Sequence, residues 1–83
     1  TALVLHLRSQ SDVVDTYVAY KSLSSAYLEK GNSYAKKKEY DPAIVFFTLA
    51  LNNNPSYSLA YYNRGRAYFH KKEYGQSVKD FSN

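Results

Sequence analysis

Among the 83 residues, the side chains able to carry catalytic or metal chemistry are few and scattered. There are two histidines, His6 and His70, one towards each end of the chain. The acids are Asp12, Asp15, Glu29, Glu39, Asp41, Glu73 and Asp80. Only Asp12 and Asp15 stand three apart, the spacing that puts two carboxylates on one helical face, and acids near a helix start are accounted for by the helix dipole. With no Cys, disulfides, thiolate zinc sites and cysteine nucleophiles are excluded. The three glycines form no phosphate-binding loop, and no serine is placed with a histidine and an acid as a triad needs. The expectation is no enzyme, no catalytic or metal-ligating residue and no cofactor.

The remaining chemistry is that of recognition. Lys36-Lys37-Lys38 and His70-Lys71-Lys72 are basic clusters within a net charge of +4, and Glu39 and Glu73 follow them. They make nucleic-acid or anionic-surface binding an alternative reading, against which each glutamate offsets its cluster. Ten Tyr and four Phe, with no Trp or Met, make the apolar fraction depend on aromatic rings.

These residues are set out by an internal repeat. Tyr27 and Tyr61, Gly31 and Gly65, Tyr34 and Tyr68, Tyr40 and Tyr74, Phe47 and Phe81 are each 34 residues apart, and Lys37-Lys38-Glu39 recurs as Lys71-Lys72-Glu73. Within a unit, Tyr27, Gly31 and Tyr34 are spaced four and three apart, so they share one helical face. A second helix follows in each unit. Asp41-Pro42 reads as N-cap and first helical residue, an apolar stripe runs through Ala43, Phe47 and Ala50, and Asn52-Asn53-Asn54-Pro55 ends it. Ser56 or Ser58 is the expected cap of the next helix. Glycine inside a helix costs about 1 kcal/mol relative to alanine, so its recurrence predicts close approach of the paired helix, with Ala43 facing it. Ser77 replaces Ala43 in the second unit and is expected to weaken that contact.

The unit Tyr27, Gly31, Tyr34, Tyr40, Ala43, Phe47, Ala50, Pro55 resembles the tetratricopeptide repeat. Tyr61, Gly65, Tyr68, Tyr74, Ser77 and Phe81 follow the same pattern up to the end of the chain. The implied fold is all-α, an α-solenoid fragment of antiparallel helix-turn-helix repeats, with a first repeat at 24–57 and a shortened second at 58–83. The resemblance also implies a protein-binding groove lined by the first helix of each repeat. Mapped onto this sequence, the groove positions are Leu28, Asn32, Ala35 and Lys36, then Tyr62, Asn63, Arg66, Phe69 and His70, for a peptide segment or partner helix. Asn32 and Asn63 match two amide positions of the carboxylate clamp of chaperone-binding members, but Leu28 stands where that clamp has lysine. The clamp is incomplete, and little binding of acidic chaperone tails is expected.

Residues 1–11 read as an extended or disordered lead-in. Val13, Tyr17, Tyr20, Ser24 and Tyr27 then alternate steps of four and three. That pattern predicts a helix from about residue 12, capped by Ser11 or Asp12 and running through 12–23 into the first repeat. A separate short helix ending at the serines of 22–25 is the alternative. Repeats bury their apolar faces only against neighbours, so fewer than two repeats predict self-association, a dimer first of all, through Val13, Tyr17 and Tyr20. No stretch reaches the ~20 apolar residues of a membrane span. The missing Met suggests an excised or processed segment. A cytoplasmic location is the expectation, with secreted or periplasmic placement left open.

Overall fold

A computed structural model describes the backbone of residues 2–83 and the side chains of residues 13–83. It holds four helices, α1 (Ala2–Lys36), α2 (Tyr40–Asn53), α3 (Ser58–His70) and α4 (Tyr74–Phe81). Each helix packs on the next, and α1 also touches α3. The chain is therefore two helical hairpins stacked side by side, with no strand among the described residues.

Helix α1 is 35 residues long, which corrects two expectations. Residues 2–11 are helical rather than an extended lead-in, and neither Ser11 nor Asp12 marks a helix start. The physical reason is the absence of any Pro or Gly before Gly31. The serines do not break the helix, because Ser24 Oγ donates to the Tyr20 carbonyl one turn back at 2.8 Å.

The other helix starts also differ from the sequence reading. Helix α2 begins at Tyr40 after Glu39, without a side-chain cap. Asp41 lies inside the first turn, where its charge suits the helix dipole, and its carboxylate pairs with Lys71. Pro42 follows in the same turn, before the first backbone bond of the helix at Ala43 N–H, so its missing N–H costs nothing. Helix α3 starts after Tyr57, again with no side-chain cap. Ser56 Oγ turns instead to Asn54 Oδ1 at 3.1 Å.

The turns between paired helices are built alike. Lys38 N–H donates to the Ala35 carbonyl and Glu39 N–H to the Tyr34 carbonyl; Lys72 and Glu73 repeat this on Phe69 and Tyr68. These are Schellman closures, in which the penultimate residue is left-handed and glycine is preferred. Here it is lysine, at φ 62° for Lys38 and 66° for Lys72. A left-handed L-residue costs about 1–2 kcal/mol, partly offset because glycine adds freedom to the unfolded chain. Lys38→Gly is therefore expected to raise stability by about 0.5–1 kcal/mol, read by urea unfolding. A loss would show that the lysine side chain contributes more than its backbone strain.

The core joins the hairpins. Ala43, Phe47, Ala50 and Leu51 of α2 are buried with Leu28 of α1 and Ala60 and Ala67 of α3. The repeated glycines make room for a ring rather than for Ala43: a Cβ on Gly31 would stand 2.5 Å from Phe47 Cε1, and one on Gly65 2.7 Å from Phe81 Cε1. Ser77, the counterpart of Ala43, is also buried, and its Oγ donates to the Gly65 carbonyl at 2.9 Å, so a hydrogen bond stands where the first hairpin has an apolar contact.

Candidate functional site

Side by side, α1 and α3 form one wall of a cleft of about 400 Å³. Asn32, Ala35 and Lys36 enter it from α1, and Asn63, Arg66, Ala67 and His70 from α3, while Tyr40 and Phe47 of α2 close it. The four-and-three spacing along each helix places these side chains on one stripe. Stacking of the hairpins brings the two stripes together.

Three expected groove residues lie elsewhere. Leu28 is 5% exposed and belongs to the core. Tyr62, one period later, has no further helix over it and is 51% exposed, its ring 5.8 Å from Phe81. Phe69 sits edge-on to Tyr74 at 5.4 Å and helps line a shallower hollow of about 290 Å³ with Arg66, His70 and Phe81. Conversely, Tyr40, Phe47 and Ala67 line the cleft and were not expected there. Tyr40 holds the His70 ring in a stack at 5.1 Å with planes 7° apart.

The polar groups of the cleft are mainly donors. Asn63 Nδ2 donates to Asn32 Oδ1 at 2.9 Å across the two hairpins. Beyond that bond Asn32 Nδ2 is a donor and Asn63 Oδ1 an acceptor, a pair suited to one peptide group. Lys36, Arg66 and His70 add cationic or ring donors, and among the described residues no carboxylate lines the cleft. An anionic or carbonyl-rich ligand meets complementary groups there, and a cation does not.

Outside the cleft lining, an ion pair joins α3 to α4. Arg64 Nε and Nη2 donate to the two oxygens of Asp80 at 2.8 and 2.7 Å, and Nη1 donates to Thr48 Oγ1 at 3.1 Å. The Asp80 hydrogen bonds hold the Arg64 guanidinium above its ordinary pKa against the opposing effect of burial. The signal was present: Gly31 meets Phe47 and Gly65 meets Phe81 at an offset of 16 residues, and Arg64 and Asp80 share that offset.

The basic turns are partly neutralised. Lys71 Nζ pairs with the Asp41 carboxylate and, at 3.3 Å, with Glu73, and the Asp41 bond first of all raises its pKa. Lys37 lies over the Tyr34 ring at 5.9 Å. The stripe of Val13, Tyr17 and Tyr20 is exposed on the part of α1 that precedes the first hairpin, with Lys21 over the Tyr17 ring. Among the described residues no group of three His, Asp or Glu side chains converges as a metal site would, and no helix is long and apolar enough to cross a membrane.

Two family models, both described as tetratricopeptide repeat, match the chain, one over residues 24–57 and the other over 46–79. Comparison with curated proteins and with solved structures gives no match. The first match covers the hairpin of α1 and α2, and the second takes in the end of α2, all of α3 and most of α4. With its repeated glycine-and-ring contact and its stacked hairpins, the chain belongs to the tetratricopeptide repeat family.

Proposed function

We propose that this chain is a non-enzymatic protein-interaction segment whose cleft holds an extended, carboxylate-bearing stretch of a partner protein. Tetratricopeptide repeats generally mediate protein–protein interaction, and the cleft gives that role a chemistry. The observation that carries the reading is the lining of Asn32, Lys36, Asn63, Arg66 and His70, with no carboxylate among the described residues beside them. The amides suit the peptide backbone and Arg66 a carboxylate, while Tyr40 and Ala35 supply apolar contact.

Leu28, where a complete carboxylate clamp would have lysine, is buried. Affinity is therefore modest, with a Kd above about 10 μM. Titration of a labelled, unstructured peptide rich in Asp and Glu tests the reading by fluorescence anisotropy. Arg66→Ala removes one charge-assisted hydrogen bond and is expected to weaken binding about tenfold or more. Asn63→Ala also breaks the bond to Asn32 and so lowers stability slightly. Equal binding of the peptide with Asn and Gln in place of its acids, or unchanged affinity in Arg66→Ala, would move the site to another face.

A further inference from the structure

We propose that copies of this chain associate head to tail, the second hairpin of one copy stacking on the first hairpin of the next, with Arg66 of one paired to Glu29 of the other. The chain builds one junction between hairpins and leaves both halves of an equivalent junction open. At the internal junction Leu28 and Phe47 are buried, and Ala60 and Ala67, small and seven apart, are buried on the approaching α3. One period later, Tyr62 and Phe81 hold the positions of Leu28 and Phe47 and are exposed, with exposed Val78 beside them. One period earlier, Ala26 and Ser33 hold the positions of Ala60 and Ala67 on α1, again small and seven apart, and both are exposed. One end thus presents the apolar side, and the other the small-residue side, of an interface already formed once within the chain.

The polar contacts name the occupant as a second copy. The internal junction carries the Asn63 to Asn32 hydrogen bond. Moved by one period of 34 residues, Asn63 becomes Glu29 on the first hairpin and Asn32 becomes Arg66 on the second. An amide pair is replaced by opposite charges, both exposed in the single chain. The His70 and Tyr40 stack changes in the same way, to Lys36 facing Tyr74, a cation and a ring. Lys71 and Asp41 have no counterpart pair, since they become Lys37 and Gly75, and the buried Ala50 and Leu51 have none within the 83 residues. Because the two joined surfaces differ, the contact is heterologous and propagates beyond a dimer. It does not use the stripe of Val13, Tyr17 and Tyr20. Arg66 also lines the peptide cleft, so Glu29, which does not, separates this proposal from the peptide reading.

Sedimentation velocity of the full 83-residue chain from ~10 μM to ~1 mM, with helicity checked by circular dichroism, tests the proposal. Average mass is expected to rise steadily past that of a dimer. Glu29→Arg or Arg66→Glu alone places like charges at the contact and is expected to weaken association at least about tenfold. An equimolar mixture of the two folded variants restores opposite charges at every junction and is expected to associate as the parent does, as is the chain carrying both substitutions. A monomer throughout the range, as when the exposed end serves a different protein, would overturn the proposal. So would growth that stops at a dimer, or association indifferent to both charge reversals.

Discussion

Phe47→Ala is expected to lower the stability of the chain by about 3–5 kcal/mol. The ring is fully buried, touches the space left by Gly31 and sits in the core that joins α1, α2 and α3. Alanine would leave a cavity that the rigid glycine face of α1 cannot fill. At about 0.05–0.15 kcal/mol per residue, a chain of this size has only several kcal/mol in total, so the variant is expected to be largely unfolded near 37 °C. Phe81 provides an internal comparison. It makes the same approach to Gly65 but is 47% exposed, so Phe81→Ala is expected to cost about half as much. Urea unfolding followed by circular dichroism measures both. A loss at Phe47 no greater than that at Phe81 would contradict the packing of α3 over the first hairpin.

Asp80→Ala is expected to cost about 3 kcal/mol, from a different cause. The Asp80 side chain is 6% exposed and receives two hydrogen bonds from Arg64, itself 19% exposed. Removing the carboxylate leaves a largely buried arginine whose remaining contacts are the hydrogen bond to Thr48 and the Tyr61 ring, 5.6 Å away. The cost is that of stranding the charge, not the net value of the pair. Replacing both residues, as Arg64→Met with Asp80→Leu, is accordingly expected to recover most of the stability. A double-mutant cycle by thermal unfolding separates the two. Additive losses would mean that the pair is not coupled across α3 and α4.

The paired helices and their period were legible because the contacts that hold a hairpin repeat in sequence. Gly31 with Phe47 and Gly65 with Phe81 are one contact written twice. What the repeat conceals is which copy is covered. Leu28 and Tyr62 are equivalent in sequence, yet α3 stacks on the first hairpin and none of the described residues stacks on the second, so one is core and the other surface. For the same reason Phe47 serves the cleft from within the core, a role that no spacing rule along α1 or α3 announces. Tyr40 was hidden because its partner, His70, lies in the next repeat. Helix starts were misplaced where a local signal was read alone. Asp41-Pro42 looks like a start, but the left-handed Lys38 closes the preceding helix and lets the next begin at Tyr40. Arg64 and Asp80 were readable only after the 16-residue register of the hairpin was known.

The location of the binding site is tested most directly by two-dimensional ¹H–¹⁵N NMR of the labelled chain during titration with the acidic peptide. The expected result is saturable, salt-sensitive shifts of the Asn32 and Asn63 side-chain amides and of the backbone at Lys36, Arg66 and His70, with Tyr27 and Phe46, which stack on each other at 6.2 Å and do not line the cleft, unmoved. Shifts confined to the basic turns at Lys37, Lys38 and Lys72, or to Val13, Tyr17 and Tyr20, with the two asparagine amides unchanged, would contradict a peptide site in the cleft.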